Sequence, residues 1–287
     1  MSSSPQADAA ALVVLIGAAR SGTKLLRDCL GRQKGATVVP YDVNFVWRMG
    51  SENLPHDELP ATAASPRNRR QIQQQLQRWW KEPVLIEKTV SNTLRVPYVF
   101  SLFPDARFIH LIRDGYDVVE SSYRQWTARP DWRYLIGKMR ALPPASAPRY
   151  ALRVGTQLVR RQLTRSASAP TTVWGPVYQG VSEDLRKMGV LPVVARQWRR
   201  CVDSSLSGLM EVPDDQRIEV RYENFIADPL RELKRICEFC HLDASKATLG
   251  GLEIRTSEQG KGRLALSSEE LLVVQSEIEP LQRLLGY

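Results

Sequence analysis

The chain has 287 residues, 43% of them hydrophobic and 25% charged, a balance that excludes a disordered protein and allows one large domain or two small ones. Its 40 Lys and Arg against 31 Asp and Glu give a net charge of +9, which excludes an acidic solvating tail and favours an anionic partner. Four cysteines are too few for a disulfide scaffold, and three histidines argue against a histidine-rich metal site.

The N-terminal apolar stretch runs from Ala9 to Ala19. No basic region precedes it, and it is shorter than the roughly 18 to 20 residues that a membrane-spanning helix needs. We therefore expect a cytoplasmic protein without a secretory or transmembrane segment.

Strands and helices alternate along the chain. Short β-branched runs predict strands, and apolar residues at helical spacing predict helices. In chain order the predicted elements are strand 11–16, helix 25–30, strand 37–40, helix 65–82, strand 84–86, strand 107–112, helix 116–126, helix 194–209, strand 218–222 and helix 229–240. This alternation predicts an α/β protein with a mostly parallel sheet covered by helices on both faces.

The segment from Gly17 to Lys24, with sequence GAARSGTK, lies between the first strand and the first helix. Its glycine spacing matches the phosphate-binding loop G-x-x-x-x-G-K-[ST], but Thr23 stands where that loop has its lysine. A cation, Arg20, lies inside the loop instead. Tight glycine turns and the amides of a helix N-terminus suit an anion, so the segment predicts a phosphate-like ligand.

A second candidate follows the strand at 107–112, where Arg113-Asp114-Gly115 is followed eight residues later by Ser121. Open α/β sheets bind ligands at the carboxyl ends of their strands. An arginine there, together with a hydroxyl two turns into the next helix, predicts a second contact to an anion.

In this order, the loop from Gly17 to Thr23 and the segment from Arg113 to Ser121 resemble the PAPS-dependent sulfotransferase family, where PAPS is 3′-phosphoadenosine-5′-phosphosulfate. Three further segments agree with the resemblance: EKT at 87–89 with FPDARF at 103–108, RYENF at 221–225 with Asp228-Pro229, and GKGR at 260–263. Together they cover most of the chain except roughly residues 45–80 and 127–192. Bacterial members that modify glycans or protein tyrosines are the most similar in pattern.

The resemblance implies a P-loop NTPase-like three-layer sandwich with a central, mostly parallel sheet. It implies a single domain over 1–287, with 127–192 as a helical insertion. Between Arg124 and Arg200 there are fifteen basic residues and three acidic ones. This basic insertion predicts either a solvated helical face or a lid over the acceptor site that attracts an acidic or membrane-associated acceptor.

The resemblance also assigns the donor site. The residues it implies for the 5′-phosphosulfate are Arg20, Ser21, Gly22, Thr23 and Lys24. Those it implies for the 3′-phosphate are Arg113, Ser121, Lys261, Gly262 and Arg263, with Tyr222 near the adenine. The pattern departs from the family at Lys24, where many members have a second threonine, and at Val90, where proline is common.

Sulfuryl transfer is an in-line displacement, so catalysis is expected from positioning and electrostatics and needs no metal. Arg20 and Lys88 are the candidate cations. An acceptor hydroxyl needs a general base, for which Asp42 is the first choice and Glu87 and His56 are the reserves.

Two groups of residues are given other interpretations. His110 lies within an apolar strand and is interpreted as a core residue. Cys237 and Cys240 fall on the apolar stripe of one helix and are interpreted as packing.

Two other functions compete with the sulfotransferase prediction. A P-loop kinase would need a Lys-Ser/Thr pair after Gly22 and a Mg²⁺-binding acid, and the chain has neither in place. A nucleic-acid or anionic-membrane binder rests on the basic insertion alone, which contains no recognisable binding module. The sequence leaves the acceptor open between a glycan, a lipid-linked sugar and a small molecule, and does not indicate the oligomeric state.

Overall fold

The computed structural model describes residues 11–127, 173–254 and 259–287. Its sheet has five strands in the order β2-β3-β1-β4-β5, and every neighbouring pair is parallel. The strands are β1 (Ala11–Ile16), β2 (Ala36–Val38), β3 (Val84–Glu87), β4 (Arg107–Ile112) and β5 (Arg217–Arg221). The predicted α/β class and parallel sheet are confirmed.

The strand register brings the candidate residues to one edge of the sheet. Val14 of β1 pairs with Glu87 of β3, and Ile16 pairs with His110 of β4. Because all strands run the same way, the turn after β1, Lys88 after β3 and Arg113 after β4 follow the same carboxyl edge. This is the edge where open α/β sheets bind ligands.

Eleven described helices flank the sheet or cover its ends. They are α1 (Thr23–Leu30), α2 (Asn44–Trp47), α3 (Pro66–Leu76), α4 (Val96–Leu102), α5 (Gly115–Thr127), α6 (Val181–Met188), α7 (Val190–Leu209), α8 (Tyr222–Ala227), α9 (Pro229–Phe239), α10 (Lys261–Ala265) and α11 (Ser268–Leu284).

The alternation of side chains along the central strand builds a core on each face of the sheet. Leu12 and Val14 of β1 pack in a cluster with residues of α2, α3 and α4. Val13 and Leu15 pack in the opposite cluster with α1, α8 and α9. A third cluster joins α5, α6, α7 and α11. The result is the predicted three-layer arrangement, a parallel sheet with helices packed on both faces.

One predicted helix is shorter than expected. The helix predicted over 65–82 spans only Pro66–Leu76, with Ser65 capping its start by accepting a hydrogen bond from the backbone of Asn68. Beyond it the chain turns, and Trp79 and Trp80 pack against the core cluster under this face. The packing of Trp79 and Trp80 against the core is therefore favoured over continuation of the helix.

The interpretations of the buried histidine and cysteines are confirmed. His110 is only 2% exposed, and burial lowers its pKa to about 3, so it is a neutral core residue. Cys237 and Cys240 are both fully buried in the core cluster on the α9 side.

Most of the predicted insertion over 127–192 lies outside the described residues. At the described end of the insertion, the Asp57 amide donates to the Val177 carbonyl oxygen, and the Val177 amide donates to the Asp57 carboxylate. The Gln197 side-chain amide donates to the carbonyl oxygens of Trp174 and Pro176. The chain is therefore anchored at 173–178. No helix in the described part is both long and apolar enough to cross a membrane.

Two arginines of α7 that follow this insertion form ion pairs. Arg196 contacts Glu277 and Asp184, and Arg200 contacts Glu58. These arginines tie α7 to its neighbours, which accounts for part of the local basic charge without a ligand.

Candidate active site

The turn after β1 is tightly built. A Cβ atom on Gly17 would lie 2.6 Å from the carbonyl oxygen of Leu111, so only glycine fits there. Gly22, which precedes α1, has φ +100, and a Cβ on it would meet the Tyr222 ring at 2.5 Å. Arg20 also has positive φ, at 71°, and its side chain is exposed. The backbone is thus curled around a small concavity, with a cation on its rim.

The hydroxyls of this loop suit an anionic ligand. Ser21 is only 1% exposed, and its Oγ has no hydrogen-bond partner among the described residues. A buried polar atom of this kind normally has a partner. Thr23 is also buried, whereas Lys24 is exposed. Together with the first amides of α1, Ser21 Oγ fits the phosphate or sulfate oxygen that the sequence predicts.

Arg113 lies behind the loop, with its side chain held on three sides. The guanidinium carbon is 4.4 Å from the centre of the Tyr222 ring, a cation–π contact. Its Nη2 is 3.2 Å from an Asp117 carboxylate oxygen, and its Nη1 donates to the carbonyl oxygen of Arg20 at 3.5 Å. The Tyr222 ring, predicted near the adenine, lies between Gly22 and Arg113 and supports both; its contact with adenine stays a prediction.

The two predicted anion sites touch each other. Arg20 Nε donates to Ser121 Oγ at 3.0 Å, although the two residues are 101 positions apart in the chain. The residues predicted for the 5′ end and those predicted for the 3′ end therefore line one continuous surface.

The C-terminal loop, which we define as residues 259–263 leading into α10, packs against the start of α5 beside Arg113. A Cβ on Gly262 would lie 2.3 Å from backbone atoms of Tyr116, so the two main chains are in close contact. The Arg263 guanidinium lies 3.8 Å from the centre of the Tyr116 ring, and Lys261 is exposed. The backbone N–H groups of Gly260 and Gly262 both donate to the Asp117 carboxylate.

Sequence analysis missed Asp117. The side chain is buried between Arg113 and the C-terminal loop. Its spacing could have indicated it, because a residue four positions after an arginine at the start of a helix is well placed to pair with it.

Asp42 and Lys88 form the other half of the site. Lys88 Nζ lies 3.7 Å from Asp42 Oδ2, which also accepts a hydrogen bond from the Val90 amide at 3.0 Å. Asp42 Oδ1 accepts one from the Asn44 amide. The structure thus brings together the predicted base and the predicted cation just beyond β3, the strand next to β1.

The reserve base Glu87 has no exposed surface. Thr89 Oγ1 donates to it at 2.5 Å and Asn92 Nδ2 at 3.0 Å. Burial raises its pKa to about 7, against the opposing effect of the Thr89 hydrogen bond. Thr89 Oγ1 also accepts from the amide of Val43, so Glu87 supports the Asp42 loop from below. A fully buried carboxyl has no surface with which to contact an acceptor.

A second buried carboxylate was not indicated by any sequence pattern. Asp57, next to the half-buried reserve base His56, accepts from Arg48, Asn44 and Ser91 at 2.8–2.9 Å. Burial opposes its ionisation, but the charge of Arg95 and the hydrogen bonds lower the pKa of Asp57 below its usual value. Among the residues that the structure describes, no three His, Cys, Asp or Glu side chains form a cluster that could hold a metal ion.

A sequence model of the sulfotransferase family matches residues 51–144 and 155–246, more than half of the chain. The chain belongs to the sulfotransferase family. The predicted PAPS-dependent sulfotransferase enzyme is therefore confirmed and is favoured over the P-loop kinase alternative. None of the curated proteins matches the chain.

Solved sulfotransferases resemble this chain over most of its length at low identity. The sulfotransferase domain from the curacin biosynthetic pathway is 15% identical, with 94% of this chain and 97% of that chain covered and a TM-score of 0.49. A sulfotransferase from Alicyclobacillus acidocaldarius is 13% identical, with 93% and 95% covered and a TM-score of 0.49. The sulfotransferase domain of the Synechococcus PCC 7002 olefin synthase is 18% identical, with 95% and 96% covered and a TM-score of 0.49. Family membership rests on the sequence match and not on these distant likenesses.

Proposed function

We propose that this sulfotransferase moves the sulfuryl group of PAPS directly onto an acceptor hydroxyl that approaches the Asp42–Lys88 pair. The observation that carries the proposal is the 3.7 Å contact between Lys88 Nζ and Asp42 Oδ2. Lys88 directly follows β3, which pairs with β1, the strand that precedes the phosphate loop. A cation for the donor and a base for the acceptor then stand side by side.

PAPS, when bound, supplies an activated sulfuryl group on a phosphate leaving group. The loop residues Arg20, Ser21, Gly22, Thr23 and Lys24 hold its 5′ end. The buried, partnerless Ser21 Oγ and the curled backbone support this assignment. The 3′-phosphate is held by Arg113, Ser121, Lys261, Gly262 and Arg263, with Tyr222 behind them. The contact between Arg20 and Ser121 supports one nucleotide spanning both groups.

Two cations stabilise the charge that develops during transfer. Lys88, only 8% exposed, is well desolvated, and its ammonium group is worth more there than in water. Arg20 is exposed at the rim of the loop and lies beside the 5′-phosphosulfate. The transferred group carries less negative charge than a phosphoryl group, so these side chains suffice without a metal ion.

Asp42 acts as the general base. Backbone amides of Asn44 and Val90 fix the orientation of its carboxylate. A carboxylate held in this way accepts the proton of the acceptor hydroxyl as the bond to sulfur forms. Glu87 and His56 are the reserves, and the burial of Glu87 favours Asp42.

The chain forms one domain, 1–287, in which the insertion over 127–192 caps the acceptor site. Its described end supports this location, because Asp57 binds Val177 of that end and also Asn44 and Ser91, close to Asp42 and Lys88. The basic charge of the insertion attracts an acidic or membrane-associated hydroxyl acceptor in the cytoplasm, and nucleic acid is not the partner.

The test replaces the base and keeps the nucleotide site. Asp42→Asn should lower turnover about 100-fold or more, the usual contribution of a general base. The affinity for adenosine 3′,5′-bisphosphate should change less than about twofold, because in this proposal Asp42 lies on the acceptor side and does not bind the nucleotide. Turnover is measured as transfer of label from radiolabelled PAPS to fractions of a cell extract, and affinity by calorimetry.

Asp105→Asn is the matched control, since Asp105 is exposed and precedes β4 at the opposite end of that strand. ATP with Mg²⁺ should bind much more weakly than adenosine 3′,5′-bisphosphate. Full turnover in Asp42→Asn would place the base elsewhere, and preferential binding of ATP with Mg²⁺ would refute the donor assignment.

A further inference from the structure

Three hydrogen-bond donors from two distant parts of the chain converge on the carboxylate of Asp117. Arg113 Nη2 is 3.2 Å from Oδ2, the Gly260 amide donates to Oδ2 at 2.9 Å, and the Gly262 amide donates to Oδ1 at 2.8 Å. The Asp117 side chain is only 1% exposed. A buried carboxylate with three donors is a rigid junction, because removing any partner leaves a buried polar group unsatisfied.

The groups joined at this junction belong to the predicted 3′-phosphate site. Arg113 follows the end of β4, and Gly262 lies in the first turn of α10, the short helix before α11. Arg113 is further fixed by the Tyr222 ring, and the loop is further fixed where Gly262 meets the backbone of Tyr116. Only Asp117 bonds directly to both sides among the described hydrogen bonds.

Hydrogen bonds at the start of α5 fix the backbone position of Asp117. Its amide donates to Asp114 Oδ1 at 3.3 Å, and Gln282 of α11 binds both the Gly115 amide and the Asp114 carboxylate. The carboxylate therefore cannot move without disturbing the turn between β4 and α5.

We infer that Asp117 is the positioning residue that gives the site its selectivity for a 3′-phosphate, by joining Arg113 to the 259–263 loop so that their donors converge on one anion. The inference rests on the proposed nucleotide site. A carboxylate beside a phosphate is unfavourable by charge alone, so its contribution is to order the loop and the guanidinium before the ligand arrives. A guanidinium has five N–H donors, so Arg113 can bind Asp117 and a phosphate oxygen at the same time.

The test compares two nucleotides that differ only in the 3′-phosphate, adenosine 3′,5′-bisphosphate and adenosine 5′-monophosphate, by calorimetry. The wild-type enzyme should bind the bisphosphate more tightly. Asp117→Asn puts an NH₂ group opposite the donors of Arg113 and Gly260, or in the other orientation opposite the Gly262 amide. It should weaken bisphosphate binding about tenfold or more while monophosphate binding changes less than about twofold. Asp117→Glu keeps the charge but moves it by one methylene, and should lose the same selectivity.

The matched control is Glu120→Gln. Glu120 lies on the same helix and also pairs with an arginine four residues away, Arg124, but that arginine is 62% exposed. This variant should keep the wild-type ratio of the two affinities.

The possible outcomes distinguish failure of the inference about Asp117 from failure of the proposed donor site. Unchanged selectivity in Asp117→Asn and Asp117→Glu overturns the inference. Tighter bisphosphate binding by Asp117→Asn also overturns it, because the carboxylate would then compete with the phosphate. Equal loss of both nucleotides means a general structural role and overturns it as well. A wild-type enzyme that does not distinguish the two nucleotides refutes the proposed donor site instead.

Discussion

Glu87 is a carboxyl group held beneath the proposed catalytic pair, Asp42 and Lys88, without any contact to solvent. Its neighbour along the chain is Lys88, and its hydrogen bond from Thr89 reaches the loop that carries Asp42. Burial raises its pKa to about 7 from 4.5. A side chain whose charged form is disfavoured by burial makes the stability of the whole protein depend on pH.

Glu87→Gln should remove that dependence. The folded protein retains a proton that the unfolded chain releases above pH 4.5, so the contribution of Glu87 to the free energy of unfolding is complete below pH 4.5 and is lost as the pH rises through 7. The full fall is on the order of 3 kcal/mol. Urea unfolding between pH 5 and 8 should therefore show a flatter profile for Glu87→Gln than for the wild type.

Glu82→Gln is the matched variant, because Glu82 is an exposed carboxyl just before the same strand. It should keep the wild-type profile. Identical pH profiles for Glu87→Gln and the wild type would show that Glu87 is ionised in the folded protein.

At the scale of elements, the turn between β1 and α1 packs against α8, the helix that follows β5. Gly22 starts α1 in a left-handed conformation, and the ring of Tyr222, the first residue of α8, occupies the space beside it. The phosphate loop is therefore packed against the element that also supports Arg113.

Gly22→Ala should weaken binding of adenosine 3′,5′-bisphosphate about tenfold or more, because the new Cβ displaces the Tyr222 ring and with it Arg113. The matched control is Gly180→Ala. Gly180 also has a positive φ, 91°, and also precedes a helix, but a Cβ added to it would have no atom within 4 Å. That variant measures the backbone cost alone, about 1 kcal/mol of stability.

Calorimetry with the bisphosphate checks both variants, and thermal unfolding reports their stability. Equal nucleotide affinity in the two variants would mean that contact between the Tyr222 ring and the loop is unimportant for the site.

At the scale of the whole molecule, Asp57 holds separate segments together. Its carboxylate joins α2 through Arg48 and Asn44, the turn after β3 through Ser91, and the described end of the insertion through Val177. Two of these segments also bind Asp42, through the amides of Asn44 and Val90. One buried charge thus sets the relative position of three parts of the chain.

Asp57→Asn should lower the free energy of unfolding by about 3 kcal/mol or more, because Arg48 would be left as a buried, uncompensated cation. Glu58→Gln is the neighbouring control: Glu58 pairs with Arg200, which is 45% exposed, and the loss should stay within about 1 kcal/mol. Urea unfolding at pH 7 measures both, and equal losses would rule out Asp57 as the junction.

The sequence by itself determined the five strands, the helices α1, α3, α5, α7 and α9, the glycine-lined loop after β1, and the motifs at Arg113 and Lys88. Each of these is written in consecutive residues whose local conformation is set by sterics and helix or strand periodicity. It also indicated the family. Only the tertiary structure decided that Arg20 meets Ser121, that Tyr222 backs the loop, that Glu87 is buried, and that Asp57 and Asp117 join distant segments. Such contacts link residues 100 or more positions apart, and no local pattern records them, since they exist only after the sheet has brought the strand ends to one edge.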